Sequence, residues 1–85
     1  MAWIVRFTTA AERQLGKLDR PVQRRLSKVL DEISRINPRD RGKAMQGDRH
    51  AWIYRVGEWR IICDLVDSER ILYVVKLGHR REVYR

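Results

Sequence analysis

The chain reads as an α+β domain of order β-α-α-β-β-β, a small antiparallel sheet covered on one face by an N-terminal helical hairpin. Three observations predict it. Val22, Leu26, Val29, Leu30, Ile33 and Ile36 recur with the period of an amphipathic helix. Three later runs, AWIYRV, WRIICDL and ILYVVKL, have the alternation and the β-branched and aromatic content of strands. At 85 residues the chain is too short to bury two cores, so residues 1–85 form one domain.

In order, residues 3–7 place Trp3, Val5 and Phe7 on one face of a short strand. Thr9 followed by Glu12 predicts a capping box, after which Ala11, Leu15 and Leu18 share one side of a first helix. Asp19 offers a second N-cap, with Pro21 tolerated in the opening turn, and Asn37-Pro38 ends the long helix. Its outer face carries Arg24, Arg25, Lys28, Asp31 and Arg35, either a solvated stripe or part of a polyanion surface. Residues 38–50 form a polar connection with a short pairing around Lys43 to Met45, and Gly57-Glu58 and Asp67 to Glu69 supply the turns of the meander.

The Gly57-Glu58 turn suits a two-residue II′ hairpin and so sets a register. Val56 faces Trp59, Tyr54 faces Ile61 and Trp52 faces Cys63, all toward the helices. On the other face Ile53 meets Ile62, and Arg55 lies directly across from Arg60. Like charges so placed destabilise a hairpin by a few tenths of a kcal/mol or more, about the scale of any cross-strand pair. Either both guanidiniums turn away, into water or toward Asp64 or Glu82, or an anion lies between them. The third strand returns antiparallel, which brings His79, Arg80 and Arg81 back near Arg60, so Arg55, Arg60, Arg80 and His79 are expected to converge on one sheet face, with Tyr84 close behind.

Charge agrees with an anionic partner. The chain carries 19 Lys and Arg against 11 Asp and Glu, a net charge of +8, and 15 of the 19 are Arg, whose planar fork matches phosphate. A polyanion or an acidic protein is the expected partner. The basic connection, with Lys43 and Arg49, and the tail, with Arg81 and Arg85, are candidate RNA contacts. The lone Cys63 rules out an internal disulfide and fits a cytoplasmic protein; no cofactor or metal is expected, because His50 and His79 lie apart with no acids clustered near them. No apolar run approaches the ~20 residues of a membrane span.

Metal-free RNA cleavage requires removal of the 2′-hydroxyl proton, stabilisation of charge at five-coordinate phosphorus, and protonation of the leaving 5′ oxygen. Arg55 and Arg60 suit the second task. His79 or Tyr84 could serve as base, and Arg80 or His79 could neutralise or protonate the leaving group. Strong clamps with weak bases predict poor activity on free RNA unless something else enforces in-line geometry.

The runs YRVGEWRI at 54–61 and VVKLGHRREVYR at 74–85, after a matching strand and helical hairpin, make nearly the whole chain resemble the RelE/ParE superfamily of toxins from type II toxin-antitoxin pairs, on its RelE branch. The resemblance implies a ribosome-dependent mRNA endonuclease acting in the ribosomal A site, held inactive by an acidic RelB-like antitoxin in an oligomeric complex. It also implies catalytic positions at Arg55, Arg60, Arg80 and Tyr84. Ile53 stands where RelE carries a lysine, and His79 replaces another, which would hand part of the acid-base role to an imidazole. The chain stops one residue after Tyr84, from which no C-terminal helix is expected. ParE-like proteins share the fold but poison DNA gyrase without cutting RNA, and the pairing of Arg60 with Tyr84 argues for the nuclease.

Overall fold

The computed structural model describes residues 2–45 and 47–84 and, of residues 48 and 49, the backbone alone. Strand β1 (Ile4–Phe7) leads into helices α1 (Thr9–Gly16) and α2 (Arg20–Ser34), and a single 3-10 turn over Pro38–Asp40 follows. Strands β2 (Lys43–Met45), β3 (Asp48–Val56), β4 (Trp59–Val66) and β5 (Ile71–His79) complete the sheet, and a one-turn helix, α3 (Arg80–Val83), ends it. The tail therefore does carry a helical turn, short as it is. His79 supplies the local reason, since its Nδ1 accepts from the Arg81 N–H at 3.2 Å as the N-cap of α3.

The strand order is β1-β5-β4-β3-β2, and the sheet is mixed: β1 pairs parallel to β5, while the remaining pairs are antiparallel. An all-antiparallel sheet was expected from the meander. The helical hairpin works as a long crossover that sets β1 beside the last strand, a partner that no local pattern specifies. β1 pairs only with Ile71–Val74, and beyond it α1 takes over the edge of β5. The Thr8 N–H donates to the carbonyl of Val74, and the Gln14 Oε1 accepts from the N–H of Leu77 at 2.9 Å. An edge that would offer free pairing groups is thereby covered.

The first helix begins one residue earlier than the capping-box reading placed it. Thr8, extended at φ −69° and ψ 160°, is the N-cap, and its Oγ1 accepts from the Ala11 N–H at 3.1 Å; Thr9 is already helical. Thr8 also donates to the Val75 carbonyl, so it joins the helix start to the sheet edge. Thr8→Ala should cost about 1 kcal/mol, read as a lower urea midpoint at unchanged m-value. A midpoint equal to the parent's would remove the cap from the account. Asp19 caps α2 by position but makes no side-chain cap bond.

The main core lies between the helices and one face of the sheet. Leu26, Leu30 and Ile33 of α2 meet Tyr54, Val56, Ile61, Cys63, Leu65, Leu72, Val74 and Leu77, with Trp52 and Trp59 packed at its margin. The β3–β4 register is the one the turn predicts, including Val56 with Trp59, Trp52 with Cys63 and Arg55 with Arg60. Gly57 has φ +59° and Glu58 is not left-handed, the pattern of a II′ turn. Burial pushes the Cys63 thiol above its ordinary pKa, leaving a packed and unreactive side chain. Tyr54 spans the layer, its hydroxyl donating to the Pro38 carbonyl at 2.8 Å.

The opposite face is partly covered as well. Ile53, Ile62 and Val83 form a second small cluster, with Met45 and Val75 against it. A bulge makes this cluster, because Ile62 pairs with Lys76 but Cys63 pairs with Val74, which leaves Val75 as the extra residue. Val83 brings α3 down onto this face.

Candidate nucleic-acid interface

Strand alternation and register build one cross-sheet row on the face away from the helices. Arg55 of β3 lies opposite Arg60 of β4, which lies opposite Gly78 of β5. Gly78 leaves that end of the row open, since a Cβ placed there would meet nothing within 4 Å. The neighbouring row runs Lys43, Ile53, Ile62, Lys76, so the exposed Lys43 shares the face with Arg55. A cleft of about 280 Å³ is bordered by Arg41, Lys43 and Arg55.

The two facing arginines solve their repulsion unequally. Arg55 is exposed, whereas Arg60 is only 8% exposed. The Arg60 Nη1 donates to the carbonyls of Gly57 and Trp59, each at 2.8 Å, so the guanidinium is fastened to its own hairpin and reaches neither Asp64 nor Glu82. Its Nε is buried with no hydrogen-bond partner, and no carboxylate among the described residues pairs with it. Burying a cation without a counter-charge is expensive, and an orphaned donor calls for an explanation in function. A guanidinium fastened by backbone carbonyls is a preorganised positive charge beneath this face, and it acts on an anion through its field, since its Nε is itself covered.

His79 does not join this row. It lies opposite Trp59, whose indole packs with the helix-side core, and the two rings meet edge-on at 5.6 Å and 82°. The convergence of His79 with Arg55 and Arg60 on one face is thus corrected. Alternation is the reason: one residue beyond Gly78, the side chain takes the other face. The His79 Nδ1 is already an acceptor for α3, and the ring borders a separate cleft of about 510 Å³ with Gln14, Lys17 and Trp59.

Arg80 starts α3 and stands beyond the sheet at the hairpin tip, its N–H donating to the Glu58 carbonyl at 2.8 Å and its Nε paired with the Glu58 carboxylate at 2.6 Å. Arg81 and Tyr84 are exposed, Tyr84 at 59%, Tyr84 next to and Arg81 two residues before Val83, which anchors α3 on the Arg60 face. Arg85 and the Arg49 side chain lie outside the described residues. Sequence reasoning overlooked Glu58 and Gly78, although the register that paired Arg55 with Arg60 also defines the turn residue and the far end of the row. Among the described residues no group of three or more His, Cys, Asp and Glu side chains could hold a metal ion, and no helix is long and apolar enough to cross a membrane.

Residues 5–84 match a family model described as the ParE toxin of the type II toxin-antitoxin system parDE. The toxin-antitoxin complex RelBE2 from Mycobacterium tuberculosis contains a chain 26% identical to this one, with 94% of this chain and 100% of that chain covered at a TM-score of 0.84. The isolated E. coli RelE toxin is 27% identical over 98% of this chain and 91% of that chain, with a TM-score of 0.76. An E. coli RelE mutant in the free state shares the fold at a TM-score of 0.85, with 24% identity over 99% and 92% of the two chains. No curated protein matches. With its cationic row, its helical hairpin and a family match spanning nearly every residue, the chain belongs to the ParE toxin family of type II toxin-antitoxin systems, within the RelE/ParE superfamily.

Proposed function

We propose that this toxin is a ribosome-dependent mRNA endonuclease of the RelE kind, cleaving by attack of the 2′-hydroxyl on the adjacent phosphate and needing no metal. The observation that carries the reading is the buried, hairpin-fastened Arg60 with its unpartnered Nε, set between Arg55 and the open space over Gly78. In this reading Arg60 and Arg55 stabilise charge on phosphorus, and Arg80 neutralises the leaving 5′ oxygen, which takes its proton from water. Tyr84 acts as the base, since α3 lies on the Arg60 face, while His79 positions that turn from the other side. Lys43 and Arg81 guide the RNA backbone, joined by Arg49 and Arg85. The ribosome supplies the in-line geometry that these weak bases cannot enforce.

Its partner is an acidic RelB-like antitoxin in an oligomeric complex. The relatives crystallised as RelBE complexes and the net charge of +8 support this. The cytoplasm, where ribosomes and messages are, is the site of action.

Induced expression with mapping of message 5′ ends, run beside a gyrase supercoiling assay, tests the reading. New 5′ ends within translated messages, with supercoiling unaffected, are expected. Inhibited supercoiling with intact messages would replace the nuclease by the gyrase poison that the ParE description brings to mind. In the same assay Tyr84→Phe should slow cleavage about 10²-fold or more, the scale of a lost general base, with ribosome binding retained. Equal loss of both would make Tyr84 a docking residue.

A further inference from the structure

Glu58, at the tip of the β3–β4 hairpin, holds Arg80 in two ways. Its carbonyl accepts the Arg80 N–H at 2.8 Å, and its carboxylate takes the Arg80 Nε at 2.6 Å. The two contacts have different consequences. The backbone bond seats the start of α3 on the hairpin, beside the row of Arg55, Arg60 and Gly78, and would survive loss of the glutamate side chain. The carboxylate instead neutralises one of the cations gathered there. Carboxylate and phosphate oxygens engage guanidinium donors in the same way, so the two compete for Arg80.

We infer that the Glu58 carboxylate is a built-in competitor for substrate phosphate. It occupies Arg80 in the free toxin and is displaced when a phosphodiester reaches the row, so Glu58 sets the affinity and salt dependence of the site. The inference rests on the reading of this face as a phosphate site. Displacement is cheap: the side chains of the pair are 52% and 61% exposed, and such pairs contribute little and are screened by salt. The arrangement spares the toxin a permanently unneutralised cation at the hairpin tip while keeping Arg80 within reach of RNA. Glu58 is the nearest opposite charge to Arg80 among the described residues, which singles it out from the other acids on the chain.

A double-mutant cycle tests it. The parent, Glu58→Gln, Arg80→Ala and the double variant would be titrated with a single-stranded oligoribonucleotide by fluorescence anisotropy over a range of salt. Gln keeps the side-chain length and the carbonyl that seats α3. Glu58→Gln should bind about two- to fivefold tighter at low salt, the affinity equivalent of a weak exposed ion pair. Its advantage over the parent should shrink as salt rises, because salt screens the exposed Glu58–Arg80 pair that phosphate has to displace in the parent. In the Arg80→Ala background the substitution should lose most of that gain. Unchanged affinity on Glu58→Gln, or an equal gain with and without Arg80, overturns the inference. RNA binding indifferent to Arg55→Ala and Arg60→Ala would instead sink the reading of the row as a phosphate site, while the Glu58–Arg80 cycle still returned its own answer.

Discussion

Replacing Arg60 with alanine is expected to lower ribosome-dependent message cleavage by about 10²- to 10³-fold, the scale of removing one preorganised electrostatic group from beside a developing anionic centre. The size follows from its setting. Arg60 is 8% exposed, fixed by two 2.8 Å bonds to carbonyls of its own hairpin, and retains an unpartnered Nε. A charge so held needs no reorganisation as the anionic centre develops, and water screens it little. The exposed Arg55 should matter less, because solvent and salt weaken its field. The fold should survive, since removing a buried cation that lacks a counter-charge also removes its desolvation cost. Arg60→Met, which keeps most of the volume, guards against a cavity at this site. Cleavage at the parental rate by a folded Arg60→Ala or Arg60→Met protein, checked by primer extension and circular dichroism, would take Arg60 out of the site.

Gly42→Ala should be the most damaging small substitution, costing about 2–5 kcal/mol from left-handed strain plus overpacking. Gly42 lies at φ +68°, and a Cβ there would fall 2.4 Å from the Ile53 carbonyl oxygen and 2.7 Å from the Tyr54 Cδ1. Neither obstacle can move freely. Ile53 is paired on both sides in the middle of the sheet, and Tyr54 is held in the core by its bond to Pro38. Relief would have to shift β2, and Lys43 with it. Gly47 provides the comparison: it is also left-handed, at φ +83°, but nothing lies within 4 Å of its missing Cβ. Gly47→Ala should therefore cost only the backbone strain, about 1–2 kcal/mol. At roughly 4–8 °C per kcal/mol for a domain of this size, Gly42→Ala should melt at least about 8 °C below the parent and clearly below Gly47→Ala. Equal melting of the two variants would refute the steric part of the argument.

The hairpin at Gly57-Glu58 explains why so much of the site was legible. A two-residue turn leaves one register, and alternation then sorts every side chain of both strands, so Arg55 and Arg60 could be paired and Trp52, Tyr54 and Trp59 sent to the core from local pattern alone. The same reasoning lost accuracy toward the tail. It carried His79 to the neighbourhood of Arg60, but the bulge at Val75 shifts the β4–β5 register, and alternation sets His79 against Trp59 on the helix side. It also could not show that Arg60 would be buried, because burial of an arginine depends on where its guanidinium finds carbonyls and not on its place in the pattern.

Composition, the helical period and one turn thus determined the fold class, the two-helix cover, the hairpin pairing and the cationic character of the exposed face, since each depends on residues within a few positions of one another or on charge summed over the chain. Only the tertiary structure decided that β1 runs parallel beside β5, that α3 comes down through Val83 onto Ile53 and Ile62, and that Glu58 meets Arg80. These are contacts between segments far apart in sequence. They are chosen by which surfaces remain to be buried and which donors remain to be satisfied once the local elements have formed, and that choice is a property of the assembled chain.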